Sequence, residues 1–450
     1  MSWLHDDTTE FLEMLEEVTQ KKANPFFRPF ENVGTRVKIG RKSYINFTSN
    51  DYLGLSQDER VIKRAIAGTK KYGTGLGSAR PQATSVEHEG LEKKLATWMG
   101  FESCAIFSTG FMGMVGAITT FADDDTTLVC DKLSHASILD GAYLAQGYHP
   151  DLELRFFKHN SAKSLRRILG QSTHKKKMVV VEGLYSVDGD LAPLSELIEV
   201  CQEFDAVLIV DDAHGIGSLG STGRGVAELE NVLDKIDILF GSFSKSFGGV
   251  GGFLLADRPI IDYIKLKARS FMYSASLPVA QIESASAALD IIKKDTSYLT
   301  RLEKNRDFFR EGLLNLGFDL GKSCTHICPI MIGDEEKTLT FAAHLFHGAN
   351  ILMMPFIYPG VPLGQGRLRC NVTAAHSTAD IGFSLEALSV IGRDLKLIPA
   401  GKRTQAPPLQ KTLWAVESKL RGIKNGGLPT LTDELLQAGN KLGQLKRTYF

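Results

Sequence analysis

A chain of 450 residues, 43% hydrophobic, 23% charged and with a formal net charge of zero, has material for two or three globular domains and no overall field to draw it to nucleic acid or an acidic membrane surface. The opening MSWLHDDTTE is acidic and reads as no signal peptide, and no apolar run reaches bilayer-spanning length. Six cysteines, at 104, 130, 201, 324, 328 and 370, form neither a Cys-x-x-Cys pair nor a Cys/His cluster of zinc spacing, so no metal is expected and they read as reduced thiols of a cytoplasmic protein.

In chain order, residues 8–20 have the apolar spacing of an amphipathic helix, ended by Asn24-Pro25 and followed by an extended stretch with Phe26, Phe27, Arg28 and Phe30. Residues 36–48 alternate as a short strand pair turning at Gly40, and TSNDYLGLS then turns at Asn50-Asp51, with Tyr52, Leu53 and Leu55 read as packing. From Asp58 to about Ser297 a short apolar strand, a loop and an amphipathic helix recur. Strands are expected at Cys104–Phe107, Thr127–Cys130, Leu152–Phe157, Met178–Glu182, Ala206–Val210, Ile238–Ser242 and Phe253–Ala256. Helices fall between most of them, such as Val86–Trp98, Ala136–Ala145 and Leu194–Phe204. Near-continuous apolar strands separated by helices predict an α/β fold, a mostly parallel seven-stranded sheet covered on both faces. A long helical stretch, Ala280–Leu316, leads into a smaller α+β domain with strands at Ile327–Ile332, Ile351–Met354 and Arg367–Val372 and a closing helix at Ala379–Gly392. The expected divisions are an N-terminal helix and extended segment (1–57), a large domain (58–297), a small domain (298–398) and a basic extension (399–450). The extension begins with the linker-like GKRTQAPPLQK and has weak helical patterns at 412–422 and 433–444.

In parallel sheets ligands gather at the carboxyl ends of strands, where Glu182, Asp211, His214 and Lys245 fall. In DILFGSFSKSFGGVGG, Lys245 follows a buried strand and precedes glycines, a setting for an amine that attacks a carbonyl; a surface lysine is the plainer reading. A phosphate-binding P-loop fails on register, because its glycines precede the lysine. Asp211 ends the strand AVLIVD, and a buried acid there needs a cation or a strong donor, which a protonated pyridine nitrogen would be; a helix cap at Asp211 or Asp212 is the alternative. His135, in DKLSHAS, can stack on a planar ring or simply begin a helix. The turn FSTGFMG, residues 107–113, exposes amides at a helix start that suit a phosphate, or else a close-packed glycine turn. Arg367 and Arg369, in GRLRCNVTAAH, are read as facing opposite sides of a strand, so that one can clamp a carboxylate. Together these groups describe pyridoxal 5′-phosphate and an amino acid.

The motifs SNDYLGL, STGF, DKLSHASILDG, VVVEGLYSVDGDLAPL, VDDAHGIGSLGSTGRG, SFSKSFGG, SASLP and RLRCNVTAAH, in this order, resemble the α-oxoamine synthases, fold-type-I pyridoxal-phosphate enzymes, over roughly residues 45–395. The resemblance implies Lys245 as the Schiff-base lysine, Asp211 on the pyridine nitrogen, His214 and Ser186 near the phenolic oxygen, and His135 stacked on the ring. It implies phosphate contacts from Thr109, Gly110, Phe111 and Ser242, and from Ser274 and Ser276 of a second subunit, hence a homodimer with shared sites. Arg369, with Asn50 beside it, would hold the substrate carboxylate. The implied reaction joins an amino acid to an acyl thioester with loss of CO₂ and thiol. Another fold-type-I enzyme, such as an aminotransferase or β-lyase, remains open, as does a noncatalytic scaffold subunit, against which the joint presence of Lys245, Asp211, His135 and His214 argues.

Overall fold

The computed structural model describes residues 27–399 other than Pro359, together with the isolated Thr9; the expected helix at 8–20, its Asn24-Pro25 break and the extension after 400 lie outside them. In chain order the strands are β1 (Arg36–Ile39), β2 (Lys42–Asn46), β3 (Ser103–Phe107), β4 (Thr126–Asp131), β5 (Glu153–Phe157), β6 (Lys176–Glu182), β7 (Val207–Asp211), β8 (Ile238–Ser242), β9 (Gly252–Ala256), β10 (Ile327–Gly333), β11 (Ile351–Leu352), β12 (Met354–Phe356) and β13 (Gly366–Asn371). The described chain divides into two compact units. One comprises Asn50–Glu303 with Thr373–Ala375; the other takes the described residues up to Ser49, Lys304–Val372 and those from His376 onward.

The larger unit is built on a seven-stranded sheet in the order β3-β9-β8-β7-β6-β4-β5. Only β9 runs against its neighbours, pairing antiparallel with both β3 and β8. The expected sheet is therefore present, with strand ends shifted by one or two residues. Its apolar runs are long because both faces are buried: Leu128, Cys130, Met178, Val180, Ile209, Ile238, Phe240 and Leu254 on one face join a core with residues of the helices Gly110–Phe121, Ala136–Tyr148 and Arg258–Lys267, and Val129, Val179, Val181, Leu208, Val210, Leu239 and Leu255 on the other are buried too. Helix starts follow side-chain caps, Ser85 accepting from the His88 amide, Thr109 from Met112 and Ser161 from Ser164. The helical stretch expected at Ala280–Leu316 is two helices, Val279–Lys294 and Ser297–Leu316. They part at Asp295, whose carboxylate accepts the Ser297 amide at 3.0 Å and so competes with continued helix.

The smaller unit holds two three-stranded sheets, β1-β2-β11 and β10-β13-β12. The strand expected at Ile351–Met354 is split between them: β11 pairs parallel with β2 and β12 antiparallel with β13. The expectation that Arg367 and Arg369 face opposite sides is wrong. Alternate residues of a strand share a face. Leu368 and Cys370 enter the core with Ile330, Phe341 and Leu388, which puts both arginines on the other face. Burial is what separates them: Arg367 is 2% exposed, with Nε and Nη2 donating to the Gln365 carbonyl and Oε1, and Arg369 is half-buried.

The loop after β8 depends on a glycine. The Gly248 amide donates to the Lys245 carbonyl at 2.8 Å, closing a turn under the lysine. Gly248 has φ +67, and a Cβ there would lie 2.4 Å from the Ser56 backbone nitrogen. Gly248→Ala should therefore destabilise the protein by at least about 1–2 kcal/mol from left-handed strain alone, read as a lower apparent urea midpoint. An unchanged midpoint would mean the loop follows another path.

Candidate active site

Strand pairing brings the chemistry-bearing residues of the larger unit to one edge. β3 to β8 all point the same way, and Glu182 pairs in register with Asp211, which pairs with Phe240. Beyond these ends come Thr109–Phe111 after β3, His135 after β4, Ser186 after β6, His214 after β7 and Lys245 after β8.

Asp211 is 6% exposed, and its Oδ1 accepts the Ala213 amide at 3.1 Å. Burial raises its pKa above the ordinary carboxylate range, opposed by Lys245, His135 and that amide. Lys245 is half-buried, and its charge acts on Asp211, His135 and Glu182 alike. The lysine and the acid thus belong to one electrostatic cluster at the sheet edge, as their strand-end positions predict.

His135 caps the helix Ala136–Tyr148: its Nδ1 accepts the Ser137 amide at 3.1 Å and lies 2.8 Å from Ser137 Oγ. An Nδ1 that accepts an amide proton leaves the neutral ring its proton on Nε2. The cap fixes the plane of the imidazole, with Phe111 edge-on at 6.3 Å. Its surroundings lower its pKa through burial, and Lys245 lowers it further, while Asp211 raises it.

His214 is buried, and its Nδ1 is 2.6 Å from Tyr52 Oη, which also reaches Asn50 Oδ1 at 3.3 Å. Tyr52, read from sequence as packing, therefore orients a site histidine and links it to Asn50. Its signal was a tyrosine directly after an Asn-Asp turn, a position where the hydroxyl can reach back. The turn itself is pinned by Asp51, which accepts the Leu55 and Ser56 amides.

The start of the helix Gly110–Phe121 meets the end of β8. A Cβ on Gly110 would fill the gap, 3.0 Å from the Phe240 ring and 3.5 Å from Ser242 Oγ, and one on Gly252 would meet Gly110 Cα at 2.7 Å. Ser242 Oγ is 2.7 Å from Ser244 Oγ. The helix dipole and the hydroxyls of Ser242 and Ser244, around a cradle without a side chain, make a setting that suits an anion.

Glu182 carries no role from sequence beyond its place at a strand end. Burial and Asp211 raise its pKa well above the usual range, and the His135 and Ser186 amides and Lys245 act against this. Ser274 is half-buried, whereas Ser276 is buried and its Oγ donates to the Ala83 carbonyl of its own chain at 2.7 Å. Arg369 lies in the smaller unit, its guanidinium 5.9 Å from the Phe356 ring centroid. Among the described residues no helix is long and apolar enough to cross a membrane.

The sequence matches the family of class I and II aminotransferases over residues 42–388. The 8-amino-7-oxononanoate synthase of Thermoanaerobacter pseudethanolicus is 36% identical over 403 residues, covering 88% of this chain and 100% of the relative. That of Geobacter metallireducens is 36% identical over 391 residues, covering 85% and 98%. Among solved structures, a high-resolution structure of SPT with PLP superimposes with a TM-score of 0.83 at 30% identity, over 88% of this chain and 100% of that one. Sphingomonas wittichii serine palmitoyltransferase gives the same score and identity over 88% and 98%. Likeness of this extent, running through both units, shows that the chain belongs to the α-oxoamine synthases within the class I and II aminotransferase family.

Proposed function

We propose that the protein is a pyridoxal-phosphate-dependent C-acyltransferase that condenses an amino acid with an acyl thioester, an acyl-CoA or acyl carrier protein, and releases CO₂ and thiol to give an α-aminoketone. One observation carries the reading: the buried acid Asp211, the amine of Lys245 and the imidazole of His135 form a single electrostatic cluster at the sheet edge that also holds the anion cradle at Gly110. The residues fit the cofactor. Asp211 is a buried acid whose charged form burial disfavours, so a protonated ring nitrogen is a partner that suits it, and the cradle suits a phosphate.

Bound pyridoxal phosphate supplies the electron sink for a carbanion at the substrate Cα. Asp211 keeps a proton on the pyridine nitrogen. His135, its plane set by the helix cap, covers the ring face. His214, turned by Tyr52, and Ser186 serve the phenolic oxygen. The amides of Thr109, Gly110 and Phe111, with Ser242, hold the phosphate. Lys245 would be the residue that binds the aldehyde carbon, and its amine would serve as the base for the substrate Cα proton. Cα bonds to the thioester carbonyl carbon, the thiolate leaves, the carboxylate departs as CO₂, and a proton returns to Cα. Arg369, with Asn50, is assigned the substrate carboxylate on the resemblance and on the planar fork of its guanidinium. Ser274 and Ser276 are assigned to the phosphate of a partner subunit in a homodimer. The bond from Ser276 to Ala83 within its own chain makes Ser274 the stronger of the two. A cytoplasmic setting agrees with cysteines that, among the described residues, are buried apart from Cys324.

Release of CO₂ and free thiol in equal amounts from amino acid and acyl thioester tests the reaction class; transfer of the amino group without either product would replace it with an aminotransferase. Borohydride reduction of the loaded protein, followed by peptide mass mapping, should leave the pyridoxyl group on Lys245, and recovery on another lysine would overturn the site. Asp211→Asn should keep the cofactor but lose about 10²–10⁴-fold in turnover, the range of a lost proton-holding group; near-normal turnover would reduce Asp211 to a structural cap. Arg369→Lys should weaken amino acid binding by about 2–5 kcal/mol, followed through the cofactor spectrum. Arg367→Lys should instead lower stability, since its buried guanidinium already bonds to Gln365. Weakened binding in the Arg367 variant alone would transfer the carboxylate role to it.

A further inference from the structure

Beside the site, the imidazole of His159 lies between two carboxylates: Nδ1 is 2.9 Å from Asp131 Oδ1 and Nε2 is 2.9 Å from Asp190 Oδ2. Asp131 is 0% exposed and Asp190 5%. A neutral imidazole offers one N–H and one lone pair, and the lone pair would face a carboxylate acceptor; only the imidazolium satisfies both contacts. Much of the remaining acceptor capacity is filled locally, Asp190 Oδ1 being the buried oxygen left without a partner among the described residues. Asp131 takes the Leu133 amide at 2.8 Å and the Asn160 amide at 2.9 Å. Asn160 Nδ2 donates to Asp190 Oδ2 at 3.1 Å and to the Leu191 carbonyl at 3.0 Å. Asn160 adopts φ 52, a left-handed bend that puts both its amides to use. Tyr185 meets the imidazole edge-on at 4.5 Å.

These bonds join three loops. Asp131 ends β4, directly before the loop that leads to His135. His159 and Asn160 form the loop after β5. Asp190 ends the loop after β6 that contains Ser186, where the Gly189 amide returns to the Tyr185 carbonyl and the Tyr185 amide to the Asp190 carbonyl. We propose that His159 is a positioning residue, clamped as an imidazolium between Asp131 and Asp190, that holds the His135 and Ser186 loops at the spacing the cofactor ring requires. This rests on the function assigned above to those two loops.

The clamp has a pH range. Burial lowers the pKa of His159, but Asp131 and Asp190 outweigh it and hold the imidazolium to about 9. The other titratable group facing it is Tyr185, whose phenol is pushed well up by burial, Asp131 and Glu182 and stays neutral. A folded pKa above the unfolded value stabilises fully below the ordinary histidine pKa and fades as pH rises through the folded one.

Two measurements on the full chain test this, with His159→Gln against wild type. Thermal unfolding without cofactor should show a gap between the two that is full near about pH 6 and closes by about pH 10. Pyridoxal phosphate titrated at about pH 7 should bind His159→Gln about tenfold or more weakly, the scale of a misplaced supporting group. Wild-type affinity should fall toward the variant's as pH passes 9, while the variant's stays level. Equal affinities, or parallel pH curves, would overturn the proposal even if stability dropped, because the clamp would then be merely structural. If His159→Gln fails to fold, Asp190→Asn, which keeps the Asp131 arm, must give the same convergence of pH curves or the proposal falls. Failure of the wild type itself to bind pyridoxal phosphate would defeat the proposed function and this proposal with it, whereas equal affinities in a wild type that does bind would defeat the clamp alone.

Discussion

A carboxylate buried at the end of a parallel strand is the constraint on which this site turns. Asp211 cannot hold its charge in that position without a cation or donors, and it in turn makes ionisation of Glu182, its in-register neighbour, harder still. The surrounding loops answer that demand. Lys245 supplies a positive charge from β8, the Ala213 amide binds one carboxylate oxygen, and His135 adds an ionisable ring from the loop after β4. A flat cationic ligand over Asp211 would complete what these groups leave incomplete, which is why the acid can be both a structural cost and the source of the electron sink.

The second requirement is that the loops beyond the strand ends keep their spacing without a rigid element between them. Each is tied by its own side chain to backbone: His135 to the Ser137 amide, Asp51 to Leu55 and Ser56, Asp131 to Leu133 and Asn160. Hydrogen bonds of this kind hold a turn in one conformation where no sheet or helix ladder reaches. The same kind of contact reaches the histidines: Tyr52 orients His214, and Asp131, at the head of the His135 loop, is held to His159.

The sheet was legible in the sequence because strands buried on both faces must be apolar almost throughout, and each of the expected runs is a strand of the sheet. Lys245, Asp211 and His135 were legible for the complementary reason, as polar residues where the apolar runs stop. The failures have physical causes too. A two-residue period puts Arg367 and Arg369 on one face, and burial, which sequence does not display, is what separates them. Asp295 divides a helical pattern through a side-chain bond to Ser297 that composition does not reveal. Residues 351–356 look like one strand, yet β11 and β12 belong to different sheets, a choice made by partners far away in the chain. Tyr52 and His159 were missed because a single residue's role in orienting another depends on contacts between segments well over a hundred residues apart or on separate strands. The assigned roles of Arg369, Ser274 and Asn50 rest on the family resemblance.

The central claim is that Asp211 holds a positive charge on the ring nitrogen of the cofactor. Nitrogen-15 NMR of the protein loaded with pyridoxal phosphate labelled at the ring nitrogen reads that charge directly. The account predicts a pyridinium chemical shift in the wild type that stays unchanged across neutral pH and moves to the neutral-pyridine position in Asp211→Asn. A neutral ring nitrogen in the wild type, or the same shift in both proteins, would contradict it.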